Sequence, residues 1–341
     1  MAIFHISSIK PSQARGEVKE VYKQLKKEMG DVVEPISMHA LIPELLKSNW
    51  RVLREALVVE DKVKRKYKEA VASAISSLND CPYCVDAHTI MMIGLNDKQT
   101  AKAIDKQDLN LVQDPRAKEL LEWAYNSKYF HSENIVNPPF SKAEAPEIIG
   151  TAVFFHYLNR MVTVFLGETI LPLNISFLKG IMKKMAAMMF SKVLNEEKQP
   201  GKVTENPDMS QFGNPFYWSK NTPRIENALS SFYVVAHQIG EKYIPEQVFN
   251  FMIEEIAEWE GSEYVKSSDL EMKLSQVDEE NSSLAKMLYL VSFAPYRITE
   301  KQINELRKEY SLSDEAILGM FSWASFMTAS KIGKELGKSF S

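Results

Sequence analysis

Glu17-Val18-Lys19-Glu20-Val21-Tyr22-Lys23-Gln24-Leu25-Lys26-Lys27-Glu28-Met29-Gly30 decides the fold class. Val18, Val21, Leu25 and Met29 recur at helical spacing and make one apolar stripe, while Glu17, Lys19, Glu20, Lys23, Lys26 and Lys27 fill the rest of the circumference. Such a segment is a surface helix laid on a core, and Gly30 marks its end. The same period returns near 40–58, 64–79, 83–94, 115–127, 144–166, 172–195, 223–241, 245–259, 281–293, 299–309 and 313–336. Ser12, Asp97 and Ser313 stand near helix starts, and Gly94, Gly167, Gly201 and Gly337 near stops. Alternating Val/Ile/Thr runs bounded by tight-turn dipeptides are absent, so the expected fold is all-α.

At about 150 residues per domain, 341 residues suggest two units. The best break lies between Glu196 and Trp218, where Gln199-Pro200-Gly201, Asn206-Pro207 and Gly213-Asn214-Pro215 crowd together. A faint repeat relates the two sides. Ala117-Lys118-Glu119-Leu120 resembles Ala285-Lys286-Met287-Leu288, Ile148-Ile149-Gly150 resembles Ile317-Leu318-Gly319, and Leu166-Gly167 resembles Leu336-Gly337. The expected division is a first helical domain over 1–170, a helical crossover and linker over 171–215, and a second copy over 216–341.

Forty-one basic and 45 acidic side chains leave a net charge of -4, without the electropositive excess that phosphate backbones select, so nucleic acid is not an expected partner. The first residues show neither a basic nor a long apolar region of the secretory kind, and the expected compartment is the cytoplasm. The most lipophilic stretch, Leu171 to Phe190, is interrupted by Asn174, Lys179, Lys183 and Lys184, so no membrane span is expected. Its Met182, Met185, Met188 and Met189 read as interior or subunit-interface packing ahead of an adaptable partner surface.

The chain has two cysteines, both in Cys81-Pro82-Tyr83-Cys84, which points to chemistry rather than to a disulfide framework. If Asp80 or Cys81 caps a helix with Pro82 in its first turn, Cys84 lies where backbone N–H groups and the helix dipole favour a thiolate. His88 follows one turn later on the same face and can take the thiol proton. Glu69, on the preceding helix, can return across the turn to orient His88. A two-residue gap also lets the two sulfurs cycle between dithiol and disulfide, whereas so small a loop would be a weak staple.

The spacing of Glu69, Cys81, Cys84 and His88 resembles the signature of the alkyl hydroperoxidase D-like branch of the carboxymuconolactone decarboxylase family. Asp114-Pro115-Arg116, the run Phe154-Phe155-His156-Tyr157-Leu158-Asn159-Arg160 and Leu166-Gly167 are similar to its downstream helices. The likeness covers roughly 35–167, with 216–341 as a degenerate copy. It implies an all-helical fold, a homo-oligomer, and thiol-dependent reduction of an organic hydroperoxide or other small molecule. Electrons would come from a dithiol such as lipoamide or a thioredoxin-like protein. By the same resemblance Cys84 attacks peroxide, Cys81 resolves, and Glu69 with His88 deprotonates Cys84. The best-studied branch has a histidine between the cysteines; here Pro82 and Tyr83 stand there, and a phenol of pKa near ~10 is a poor base. The namesake decarboxylase lacks the cysteine pair, so lactone decarboxylation is disfavoured.

In the second copy Asn250, Ser262, Val265 and Asp269 fall where Glu69, Cys81, Cys84 and His88 stand, and none can supply a dithiol. One active site per chain is expected, with 216–341 as its structural partner. Tyr83, His156 and Arg160 are candidates to line the site, although His156 and Arg160 read more readily as a helix-packing network. No bound cofactor or metal is expected. The competing reading is a zinc site from two thiolates, an imidazole and a carboxylate, in a catalytically silent scaffold that binds a partner.

Overall fold

The computed structural model describes residues 3–167, 176–201, 207–261 and 266–340, without the side chains of 176–179 and 267. Among the described residues there are helices and no strands. The first half runs through α1 (Gly16–Met29), the one-turn α2 (Glu34–Ser37) and α3 (Pro43–Leu53), which continues into a π-helical turn at Arg54–Val58. Next come α4 (Arg65–Leu78), α5 (Pro82–Gly94), α6 (Lys98–Asp105), α7 (Pro115–Tyr125), α8 (Glu133–Val136) and α9 (Ala145–Phe165). α10 (Ser176–Leu194) packs back on α5 and α1. The second half holds α11 (Pro223–Tyr243), α12 (Glu246–Glu258), α13 (Ser267–Leu274), α14 (Glu279–Phe293), α15 (Glu300–Glu309) and α16 (Asp314–Leu336).

α1 shows how patterning becomes packing. Val18, Val21, Leu25 and Met29 are buried with Tyr22, and Gly30 leaves the helix at φ +91°, a left-handed exit that glycine adopts freely. Asp97 and Ser313 cap α6 and α16 by accepting from the backbone N–H groups of Thr100 at 3.2 Å and Ala316 at 3.1 Å. Ser12 is not a cap, since α1 begins at Gly16 after Arg15. Gly201 lies beyond α10, where its N–H donates to the Glu55 carboxylate at 3.1 Å. The periodic runs leave out α2, α6, α8 and α13, because two turns or fewer are too short to display the period.

Every residue of α9 except Thr163 is buried. α9 packs on α4 and on α16, and α16 packs on α11, so one continuous core joins the halves. Phe154, Phe165, Phe232 and Phe321 are each fully buried, worth roughly 1.5–3 kcal/mol apiece in transfer free energy. Polar pins also cross the junction: the Tyr157 hydroxyl lies 2.6 Å from Nε2 of His39 and 2.8 Å from the Ser322 hydroxyl. Lys68 meets Glu147 at 2.6 Å, and Arg224 of α11 reaches the same carboxylate at 3.3 Å.

α9 is also the one described helix long and apolar enough, by length and composition, to cross a membrane. Leu171–Phe190, the stretch most lipophilic in sequence and not expected to span, lies partly outside the described residues. The most apolar window of α9 is 94% buried inside the protein, the position of a core helix. The methionine stripe on α10 is not interior: Met185, Met188 and Met189 are 58%, 70% and 79% exposed. The Pro/Gly-rich stretch before Trp218 is irregular where described, and 202–206, with Asn206, lie outside the described residues.

Candidate active site

α4 delivers Glu69 and α5 delivers the cysteines and His88, with the turn between them setting their registry. Asp80 adopts φ +50°, a left-handed conformation that aspartate tolerates better than most residues. The Cys81 N–H then donates to the Ser76 carbonyl at 2.9 Å, and the Cys81 carbonyl accepts from Val85 at 3.0 Å. Cys81 is thus the N-cap of α5, Pro82 opens the helix, and Cys84 sits in its first turn. Both cysteines are buried free thiols.

Glu69 is fully buried and divided between two partners. One carboxylate oxygen lies 2.6 Å from Nδ1 of His88 and the other 2.9 Å from Nε of Arg65. Burial pushes the Glu69 carboxyl up, but the hydrogen bond from His88 and the Arg65 charge outweigh it and hold the group below its ordinary value. An ionised carboxylate can only accept, so Nδ1 of His88 donates the hydrogen between the two groups. The ring is also fixed edge-on against Phe155, with centroids 4.4 Å apart.

Cys84 departs from expectation. Its thiol sits well above its ordinary value, first through burial and then through the hydrogen bond and charge of Cys81. Hydrogen bonds from Asn159 and Ser76 pull in the opposite direction without winning. The resting group is therefore a thiol and not the stored thiolate that the helix-dipole argument predicts: at the first turn of α5, desolvation exceeds the dipole. Ser76 and Asn159, themselves joined at 3.1 Å, had no signal in the sequence, because a residue 75 positions downstream of Cys84 reaches it only through packing of α9 on α4.

Two cavities flank the motif. Cys84, His88 and Glu69 border an apolar one of about 300 Å³, walled by hydrocarbon that includes Val33, Leu57, Ile90 and Leu158. Ala186 and Phe190 of α10 complete it. α10 is held there by the buried Lys183, which lies 3.0 Å from Asp86, 2.6 Å from Asp105 and 2.8 Å from the Thr89 hydroxyl. Close packing helps: a Cβ on Gly94 would come within 2.6 Å of Leu194. Cys81 instead borders a more polar cleft of about 680 Å³, shared with Ser77, Asp80, Asp86 and Gln107 and closed on the far side by Pro295, Tyr296 and Ile298 of the second half. Tyr83 borders both. Burial, with Glu34 next, raises its phenol far above the ordinary value, so it stays protonated.

His156 and Arg160 border neither cavity. His156 is bonded to Ser127 at 2.9 Å and Asn79 at 3.2 Å, and burial, Arg160 and Lys128 press its imidazole well below its usual value. Arg160 donates to the Ser292 carbonyl at 2.8 Å and to the His156 carbonyl. Both side chains tie helices together. Of the residues overlaid on the motif in the second half, Asn250 and Asp269 are exposed, while Ser262 and Val265 lie outside the described residues. Among the described residues no three His, Cys, Asp or Glu side chains converge as a metal set, and both oxygens of Glu69 are already committed to His88 and Arg65. The zinc arrangement does not fit these donors.

Comparison with known proteins falls on the same region. Residues 43–125, from α3 through α7, match the model of the carboxymuconolactone decarboxylase family, and the match contains Glu69, Cys81, Cys84 and His88. Over 337 residues, 98% of this chain and 94% of the relative, the sequence is 29% identical to alkyl hydroperoxide reductase Rv2159c of Mycobacterium tuberculosis. Over α3 to α7, this all-helical chain is thus similar to the carboxymuconolactone decarboxylase family.

Proposed function

We propose that this chain reduces an organic hydroperoxide at Cys84 and is reset by an external dithiol. The observation that carries the reading is the Glu69–His88 pair, joined at 2.6 Å and bordering the same apolar cavity as Cys84, whose thiol is hydrogen-bonded to that of Cys81. The name of the full-length relative, alkyl hydroperoxide reductase, supports the same chemistry.

Since Cys84 rests protonated, its proton leaves as the reaction starts. Nε2 of His88 accepts it, and the Glu69 carboxylate stabilises the resulting imidazolium through Nδ1. The Cys84 sulfur attacks the distal peroxide oxygen, the O–O bond breaks, and the alkoxide leaves as alcohol with the proton from His88. Cys84 is then a sulfenic acid. Cys81 attacks it, water departs, and a disulfide remains. A dithiol such as lipoamide or a thioredoxin-like protein returns two electrons. Tyr83, held as a phenol, shapes the site without acting as a base. Residues 216–341 are read as a degenerate copy that supplies walls and no second dithiol. A homo-oligomer working in the cytoplasm belongs to the same proposal.

Dithiol-dependent consumption of cumene hydroperoxide tests the reading. Wild type turns over, and Cys84→Ser falls to background. Full activity in Cys84→Ser removes Cys84 as nucleophile. A wild-type dithiol that survives excess hydroperoxide rejects the peroxidase and leaves a partner-binding scaffold.

A further inference from the structure

We propose that the two half-reactions use opposite sides of the first turn of α5: hydroperoxide meets Cys84 in the apolar cavity, and the reducing dithiol meets Cys81 through the cleft that the second half helps to build. This rests on the peroxidase reading and adds where the second substrate enters and what kind of dithiol it is.

Three observations carry it. Cys84 borders only the 300 Å³ cavity and Cys81 only the 680 Å³ cleft, with Tyr83 as the partition bordering both. The two spaces differ in chemistry. The smaller cavity is lined mostly by hydrocarbon, with Asp31, Glu34 and Glu69 as its carboxylates, and suits an alkyl or aryl hydroperoxide, whereas Ser77, Asp80 and Gln107, with Asp86 and Asp105 paired to Lys183, give the cleft a more polar lining. The cleft is also a joint construction. Pro295, Tyr296 and Ile298 form its far wall, and Tyr296 is 55% exposed. Residues 216–341, expected to be only a structural partner, thus contribute to the path to a sulfur.

Lys183 offsets the charge of Asp86 and Asp105, so the cleft is polar rather than strongly acidic, and its size and lining suit a small polar dithiol. Once there, a thiolate of the reductant attacks the Cys81 sulfur of the Cys81–Cys84 disulfide. The S–S bond breaks and the electron pair leaves on Cys84, where Asn159 and Ser76 hydrogen-bond the sulfur. The reductant's second thiol attacks the mixed disulfide and frees Cys81. The reductant ends as a disulfide, and its two protons end on the two cysteines.

The experiment follows each half-reaction separately by quenched-flow thiol counting on the full chain. Thr163→Trp, which puts bulk into the cleft, slows disulfide reduction by dithiothreitol about tenfold or more and leaves oxidation by cumene hydroperoxide near wild type. Ala186→Phe, in the apolar cavity, does the reverse. The exposed variant Tyr296→Glu, which does not disturb the core, slows dihydrolipoate more than dihydrolipoamide, by about threefold in the ratio. If either variant slows both half-reactions equally, or Tyr296→Glu leaves the ratio unchanged, the two-sided assignment is wrong. The disulfide for the reduction arm is made with diamide, so that arm is read even if hydroperoxide fails to oxidise the protein. Failure of the peroxidase reading is thereby told apart from failure of this one.

Discussion

His88 and His156 are both buried in the first half, yet they sit in regions built for opposite ends. His88 faces a carboxylate at 2.6 Å, borders a cavity and lies one helical turn from Cys84. His156 has two neutral partners and two cationic neighbours in Arg160 and Lys128, and it lines neither of the two cavities beside the motif. An imidazole beside an anion can accept a proton at modest expense; one beside two cations cannot. Burial alone therefore does not identify a catalytic histidine. The sign of the nearest charge and an open path for a substrate do.

The contrast breaks most visibly in kinetics. His88→Ala is expected to lower kcat/KM by about 100-fold to 10,000-fold, the range for loss of a general base. His156→Leu costs about 2 kcal/mol of stability, because Asn79 and Ser127 lose their shared partner, and reduces kcat/KM at least about tenfold less than His88→Ala. Steady-state rates and urea melts on both variants separate the two roles. Equal kinetic losses would erase the distinction.

Acid sharpens it next. His39, buried like His156, has its pKa lowered to about 4, first by burial. The unfolded chain takes up that proton near pH ~6.5 and the folded chain only near 4, so stability is complete above the upper value and falls as pH drops through the window. His39 alone accounts for on the order of 3 kcal/mol between pH 7 and 4, and His156 acts in the same direction. Glu69, with its carboxyl held low, adds a loss at still lower pH, where protonation would break its contacts to His88 and Arg65. Chemical denaturation at a series of pH values measures the slope; a flat profile from 7 to 4 would contradict the neutral, buried state of these rings.

The smallest expected effect concerns Cys84. With its thiol raised by burial, labelling by iodoacetamide keeps climbing past pH ~8.5 rather than levelling below neutrality. Asn159→Leu removes a hydrogen bond that opposes the rise, and slows labelling at pH 7 by a few-fold, about threefold. Mass spectrometry of the labelled peptide gives the rate, and a plateau near pH 7 would restore the stored-thiolate picture.

Much of this architecture is legible in the chain because helices announce themselves locally. The stripe from Val18 to Met29, the caps at Asp97 and Ser313 and the long helices α9 and α16 all follow from period and punctuation. The placement of Glu69, Cys81, Cys84 and His88 was legible too, since three of them share one helix with its cap and the fourth lies on the helix before it. What escaped depends on contacts between distant segments. Ser76 and Asn159 at the thiol, Lys183 anchoring α10 over the cavity, and Tyr296 across the cleft carry no periodic signature. The resting protonation of Cys84 escaped for a related reason: a helix N-terminus can be read from sequence, but the depth of burial that overrides it cannot.

The most direct test is a thiol count with peptide mass spectrometry before and after one equivalent of cumene hydroperoxide. The account predicts two free thiols that fall to zero, an intramolecular bridge between Cys81 and Cys84, and a Cys81→Ser variant that traps one oxidised sulfur at Cys84. Two thiols that persist, or a first oxidation located on Cys81, would contradict it.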